Sequence, residues 1–409
     1  MKERLENVRI LLGVTGSIAA YKACEILRLL QKEGAEVRVV MTAAARRFVS
    51  PLTFETLSKQ EVITELFPEG RVVKTRHIGV AEWAQCMLIC PATLDCIGKV
   101  ASGIADDFLT TAVSASRAPV LFAPAMDFEM AGNAIYLANC EKLRTLGYRF
   151  ISPEEGELAS GASGLGRLAR PERILDAVRC AVLGTDTLKN RRVLVTAGPT
   201  RESLDPVRYF SNHSSGKMGH AIAEEAFLRG AQVTLVSGPT TLRCMDGIKP
   251  IRIQTAKEMA EAVHQEWKHS DILVMTAAVA DYRPESASNQ KIKKNRSGIT
   301  LRLESTEDIL MSAASTKGNR IVVGFALETD NSVDNAFQKL QEKKLDLICL
   351  NNPLADGSGF GSDTNQITLI DGNRNVRELS VLPKWEAARH ILDAVENFLK
   401  IQTDHAGIR

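Results

Sequence analysis

Apolar residues along this chain come in two forms, short runs of strand length and longer stretches with a helical period, and the two forms alternate. Runs at 10–14, 36–41, 87–90, 120–123 and 148–151 suit strands of a sheet covered on both faces. Between the first two, Ala19, Ala20, Ala23, Ile26, Leu27 and Leu30 share one helical face over 18–32, and Gly34 closes that helix. A second series starts at 192–195 and continues at 232–236, 272–276, 321–325 and 347–350. Pieces at 300–303, 367–370 and 376–382 read as antiparallel additions. The pattern predicts an α/β chain of two doubly wound, largely parallel sheets. A polar stretch at 184–190 between a helix and a fresh strand marks the boundary, giving domains 1–186 and 187–409.

A length of 409 residues suits two domains with separate cores. The net charge of +2 is spread along the chain, which gives no footprint for nucleic acid or a membrane surface and leaves small anions as ligands. Eight cysteines occur without a C-x-x-C pair, so neither zinc nor a disulfide framework is indicated. The apolar run at the N-terminus is too short for a secretory signal, and no segment approaches a membrane span. A cytoplasmic location is expected.

The densest chemistry lies at 193–219. A strand ends at Gly198 and Pro199, and residues 212–219 then bring hydroxyls, amides, two glycines and Lys217 to the start of the next helical pattern, a natural anion cradle. Lys217 is followed by Met218, which excludes a Walker loop, and no G-x-G-x-x-G follows the strand, which argues against a nicotinamide reductase. The stretches TAGPTRE, LDPVR and SNHSSGKMG instead resemble the ligase half of the bifunctional phosphopantothenoylcysteine decarboxylase / phosphopantothenate–cysteine ligase family of coenzyme A biosynthesis.

That resemblance runs over 192–382. It takes in Thr276 to Arg283, the KIKK run starting at Lys291, Gly324 to Thr329, Asn351 and Asn352, Phe360, and residues 362–365. It implies a Rossmann-like ligase domain in which a carboxylate of 4'-phosphopantothenate attacks the α-phosphate of a nucleotide, CTP or ATP, with Mg²⁺. Cysteine's amine then displaces the nucleotide. By the same resemblance Asn212 binds the acyl-nucleotidylate and Lys291 offsets charge in the cysteine step. Ser215, Gly216, Ala277, Asp281, Phe325, Lys339 and Lys343 contact substrates, with Asp281 as the Mg²⁺ carboxylate. His213 stands where relatives accept arginine.

In the first domain, Gly13 to Ser17 lie between a strand and a helix, a weak phosphate signal alone. With Thr42 to Phe48, Pro91 to Asp95, Gly103 to Asp107, Thr110, Thr111 and Ala123 to Asp127, they resemble the homo-oligomeric flavin-containing cysteine decarboxylases, a flavodoxin-like family. The resemblance implies FMN held by Gly16, Ser17, Thr42, Thr93, Thr110 and Met126, trimeric flavin domains and dimeric ligase domains. His77 matches the family's His-Ile segment. Loss of CO₂ from an N-acylated cysteine needs an electron sink, which oxidation of its side chain to a thioaldehyde creates, and a histidine near its ordinary pKa suits removal of the thiol proton.

Two positions depart from the family. Asp127 replaces the asparagine that contacts the substrate carboxylate; at an effective dielectric near 20 and about 4 Å the repulsion is about 4 kcal/mol. Ser160 replaces the reprotonating cysteine of a flap that includes Arg167, and a hydroxyl is a far weaker acid than a thiol. Three outcomes follow for this half: full decarboxylation, arrest at an enethiol, or an FMN-binding scaffold without chemistry.

Overall fold

The computed structural model describes residues 3–67, 76–159, 161–294, 299–327, 332–351 and 361–406. The chain divides into two compact units, Met1–Gly184 and Thr185–Arg409. Ser160, Glu328, Thr329, Asn352 and Phe360 lie outside the described residues.

In the first unit β1 (Arg9–Val14), β2 (Glu36–Met41), β3 (Cys86–Ala92), β4 (Val120–Pro124) and β5 (Arg149–Phe150) form a wholly parallel sheet in the order β2-β1-β3-β4-β5. Successive side chains of a strand point to opposite faces, so β1 feeds two cores. Ile10, Leu12 and Val14 pack with Ile26, Leu30, Ile174 and Val178, while Leu11 packs with Ile97, Leu109 and Val113. This strand order is that of flavodoxin-like sheets, whose ligand crevice opens between the carboxyl ends of β1 and β3.

The helix expected over 18–32 is split. Ser17 accepts a hydrogen bond from Ala19 N, tightening Ile18–Tyr21 into a 3₁₀ turn before the α-helix Lys22–Lys32. A hairpin of β6 (Glu154–Glu157) and β7 (Ser163–Arg167) stands apart from the sheet, where the flap was expected.

In the second unit six parallel strands run in the order β12-β11-β8-β13-β16-β17: β8 (Arg192–Ala197), β11 (Gln232–Ser237), β12 (Lys249–Arg252), β13 (Ile272–Met275), β16 (Ile321–Leu327) and β17 (Leu347–Asn351). Counted from β8 this is the Rossmann order, with the reversal between β8 and β13. Two antiparallel strands, β19 (Ile367–Asp371) and β20 (Val376–Glu378), extend it as expected. Strand β12 was not expected from the sequence; its exposed edge position removes the need for an apolar run.

The strand anticipated at 300–303 instead forms at Leu303–Ser305 (β15) and pairs only with β14 (Tyr282–Pro284), outside the main sheet. All three residues of β15 are exposed, so no core fixes their register. Two further short pairs are β9 (Arg201–Ser203) with β10 (Tyr209–Ser211), and β18 (Thr364–Asn365) with β21 (Leu382–Pro383). The helix Lys217–Leu228 packs on β8 and on the helix Lys384–Ala406. Arg229, buried at its end, bonds Glu225 at 3.0 Å and Asp393 and Glu396 at 2.8 Å each, so its charge is fully matched. No described helix is long and apolar enough to cross a membrane.

Candidate functional site

Many, though not all, of the residues singled out by sequence gather at the strand-order reversals of the two sheets. In the first unit Thr15, 1% exposed, donates its hydroxyl to Pro91 O at 2.7 Å and accepts from Thr93 N at 3.0 Å, locking the loop after β1 to the loop after β3. Ser17 Oγ reaches Ala125 O at 3.4 Å, and a Cβ on Gly16 would lie 2.4 Å from Ala44 Cβ. The loops after β1, β2, β3 and β4 therefore converge, with no room for a side chain at Gly16. Thr42 accepts from Ala45 N at 3.3 Å, and Thr93 caps the helix Leu94–Ala101 through Cys96 N at 3.4 Å.

Met126 N donates to Gly166 O at 3.0 Å, and a Cβ on Gly166 would meet Met126 O at 2.2 Å, so β7 docks directly on this edge. Arg167, next along β7, is exposed. Gly16, Ser17, Thr42, Thr93 and Met126 thus share one edge, and short hydroxyls around a tight glycine turn fit a flavin phosphate. Thr110 is committed elsewhere. It is 1% exposed and forms a capping box with Asp107, its hydroxyl 2.7 Å from Asp107 Oδ1.

His77 is half-buried in the first turn of the helix Arg76–Trp83, which packs against the helix Phe108–Ala115. Asp127 caps the helix Phe128–Ala131 by accepting from Glu129 N at 3.1 Å, a task that asparagine performs equally well. Burial pushes the Cys86 and Cys96 thiols up to about 12, so neither offers a thiolate near neutral pH.

In the second unit a cavity of about 470 Å³ opens at the β8/β13 reversal. Of the residues expected there, Asn212, Ser215, Gly216, Ala277, Asp281, Phe325 and Lys343 line it. Its floor is rigid: Thr196 accepts from Thr276 N at 3.2 Å and Ala277 N at 3.1 Å, and Ala278 N donates to Gly198 O at 2.9 Å. Asn212 donates to Ala278 O at 3.0 Å, holding its amide against the loop after β13. Gly216 has φ +77°, and a Cβ there would approach Thr240 to 2.7 Å and Gly198 N to 3.2 Å, so only glycine is unstrained. Lys343 pairs with Asp308 at 2.7 Å, and both face the cavity.

Lys291 and Lys339 are not among the lining residues; both are exposed, Lys291 on its loop and Lys339 on the helix Ser332–Glu342. His213 is exposed as well. The reading by sequence missed Lys384, which lines the cavity with Lys217 although it is 8% exposed. Lys217 bonds Gly361 O and Asp363 at 2.7 Å each, while Lys384 bonds Ser362 O. Burial and the Lys217 charge bring Lys384 down to about 8, with Asp363 opposing. Only folding brings the two lysines together, although Pro383 beside the start of a long helix marks an N-terminus there.

Comparison with known proteins agrees with this division. Residues 1–183 match the family model described as Flavoprotein, and residues 188–399 match that of the DNA/pantothenate metabolism flavoprotein C-terminal domain. The coenzyme A biosynthesis bifunctional protein CoaBC of Bacillus subtilis is 45% identical over 394 residues, covering 96% of this chain and 97% of that protein. Its counterpart in Borreliella burgdorferi is 41% identical over 390 residues, covering 95% and 98%. Among solved structures, the C-terminal domain of a CoaBC protein is 40% identical, covers 53% of this chain and 99% of its own, and has a TM-score of 0.46. With two family models end to end and near-complete coverage of curated relatives, this chain belongs to the CoaBC family of bifunctional coenzyme A biosynthesis proteins.

Proposed function

We propose that the chain joins cysteine to 4'-phosphopantothenate in residues 187–409 and decarboxylates the product in residues 1–186, yielding 4'-phosphopantetheine. The observation that carries the ligase reading is the cavity at the β8/β13 reversal, where Asn212, Asp281, Phe325 and Lys343 meet on one wall system. A carboxylate oxygen of phosphopantothenate attacks the α-phosphorus of CTP, the bond to pyrophosphate breaks, and cysteine's amine then attacks the acyl carbon, expelling CMP and losing a proton. Asn212, fixed by Ala278, donates to the acyl-cytidylate; Lys217, Lys343 and Lys384 supply the positive charge that the triphosphate needs. Lys291, on an exposed loop outside the cavity lining, offsets charge in the cysteine step.

Among the described residues no group of three or more His, Cys, Asp or Glu side chains could hold a metal. Mg²⁺ carried on phosphates needs one carboxylate, and Asp281 on the cavity wall suits it. Bound FMN supplies a reversible two-electron couple to the first unit. Gly16, Ser17, Thr42, Thr93 and Met126 hold it at the strand ends, His77 takes the proton of the substrate thiol, and Arg167 on β7 meets the substrate. Ser160 takes the place of the family's reprotonating thiol. The reaction runs in the cytoplasm, where the free cysteines stay reduced.

Assembly into trimers through the first unit and dimers through the second is supported by exposed apolar side chains, Ile18, Tyr21 and Leu52 in one and Val207, Tyr282 and Leu303 in the other. Single-turnover assays of Asn212→Asp and Lys291→Gln test the ligase reading. Each variant is expected to fold normally and to lose about 100-fold or more in amide formation. Ligation at the unmutated rate by either would remove that residue from the mechanism.

A further inference from the structure

The helix Lys217–Leu228 starts at the cavity: Gly216, which has no side chain to cap with, stands at its N-cap, and Lys217, Met218 and Gly219 all line the wall. A helix start leaves backbone N–H groups without partners inside the helix, and Lys217 adds a full positive charge. The fold meets that charge with its own carboxylate. Lys217 Nζ donates to Asp363 Oδ1 and to Gly361 O, at 2.7 Å each. Asp363 is not among the residues lining the cavity, and its side chain is 80% exposed, so Lys217 reaches from the cavity wall to a carboxylate outside it.

The two partners differ in freedom. Asp363 is anchored through its main chain: its carbonyl accepts from Lys384 N at 3.0 Å, and Thr364 and Asn365, which follow it, pair as β18 with Pro383 and Leu382 of β21. On its other side the Ser362 carbonyl accepts from the Lys384 ammonium. Lys217 carries its charge on a flexible four-carbon stem with three rotatable donors, so the ammonium can turn from Asp363 into the cavity while the helix stays in place. The hydrogen bond and charge of Lys217 hold the Asp363 carboxyl below its ordinary range, so near neutral pH it is a full anion.

We propose that Asp363 is an internal stand-in for a phosphate: it holds Lys217 while the cavity is empty, yields it to the phosphate chain of the nucleotide, and takes it back as pyrophosphate leaves. The proposal rests on the reading of Lys217 as a phosphate contact. A phosphate oxygen then gains Lys217 only in exchange for an ion pair already formed, which lowers affinity for the nucleotide and for released pyrophosphate alike. Because the main chain of Asp363 is anchored, its carboxylate stays within reach of the ammonium throughout. The exchange makes and breaks no covalent bond and moves no proton. An ion pair with so exposed a partner shifts an equilibrium by up to about fivefold, so Asp363 tunes binding and release and does not block them. 4'-Phosphopantothenate carries a phosphate of its own, and the test separates the two sources.

The test is a double-mutant cycle in the full-length protein, with Asp363→Asn made alone and in a Lys217→Met background, and each protein titrated calorimetrically with pyrophosphate, CTP and 4'-phosphopantothenate in the presence of Mg²⁺. Asparagine keeps the shape, one acceptor oxygen and every main-chain bond, and removes the charge. Asp363 also favours the charged form of Lys384, whose amine titrates near 8, so the titrations are run at about pH 6.5. Salt at about 0.15 M confines the reach of exposed charges to about 8 Å. Expected is pyrophosphate and CTP binding about three- to fivefold tighter in Asp363→Asn, with 4'-phosphopantothenate changed by less than about twofold, and every effect of the substitution below about 1.5-fold once Lys217 is methionine. Weaker binding by Asp363→Asn would make the carboxylate a contact for ligand or metal and overturn the proposal. Equal tightening in both backgrounds, the mark of charge repulsion without exchange, would overturn it too, and so would tightening confined to 4'-phosphopantothenate. Unchanged affinities in Asp363→Asn beside weakened ones in Lys217→Met overturn the proposal alone, whereas Lys217→Met binding all three ligands as the unmutated chain does overturns the reading of Lys217, and the proposal with it.

Discussion

Lys384 shows how one buried charge sets a pH limit on a whole site. Its amine titrates near 8 in the folded protein, lowered by burial and then by Lys217, whereas an unfolded lysine holds its proton to about 10.4. As pH rises through 8 the free enzyme loses this charge from the wall of its cavity, the end proposed above to take the nucleotide phosphates. Because kcat/KM reports groups of the free enzyme, kcat/KM for the nucleotide is expected to fall above about pH 8, and Lys384→Met is expected to lower its value at pH 7 and remove that limb. Stability moves the other way: between about 8 and 10.4 the unfolded chain binds more protons, so folding strengthens with pH. Steady-state pyrophosphate release from pH 6.5 to 9.5 checks the first statement, and an unchanged alkaline limb in Lys384→Met would remove Lys384 from the phosphate contacts.

Sequence motifs named Asn212, Gly216, Ala277 and Asp281, which all line the cavity, because strand-end loops carry their geometry locally. Lys384 escaped because its partners Lys217 and Ser362 come from other segments. Thr110 was read toward a ligand, but its capping-box partner Asp107 lies only three residues away.

Among the elements, two helical glycines show why the same substitution has opposite signs. On the helix Lys217–Leu228, a Cβ at Gly219 would lie 2.5 Å from Thr276 Oγ1, 2.6 Å from Ala197 Cβ and 2.7 Å from Thr196 O, atoms that belong to the floor of the cavity and have nowhere to go. On the helix Arg76–Trp83, a Cβ at Gly79 meets nothing within 4 Å. Gly219→Ala is expected to destabilise by about 1–3 kcal/mol despite better helix propensity, while Gly79→Ala stabilises by about 0.5–1 kcal/mol. Thermal denaturation of both variants checks this; a Gly219→Ala protein as stable as the unmutated one would mean that the helix can lift off β8.

Apolar runs made the buried strands legible, since β1, β3, β4, β8 and β13 owe their places to burial on both faces. Exposed strands such as β12 and β15 carry no such signal, and their pairing comes from neighbours that only the fold supplies. The 3₁₀ start of the first helix turned on a single hydroxyl, Ser17, which periodicity does not register.

Across the whole molecule, two sheets with different strand orders each gather strand-end loops at their own reversal, and the sequence boundary at 186/187 lies close to the structural one at 184/185. Two separate sites suit successive reactions on one carbon skeleton, amide formation and then loss of CO₂. The most direct measurement is product identification by mass after the purified protein is incubated with 4'-phosphopantothenate, cysteine, Mg²⁺ and CTP, with FMN supplied. The account predicts phosphopantothenoylcysteine as a transient, followed by 4'-phosphopantetheine and an equal amount of CO₂. Formation of no amide with either CTP or ATP would contradict the ligase assignment, and phosphopantothenoylcysteine or an enethiol persisting as the final product would contradict complete decarboxylation by a site with Asp127 and Ser160.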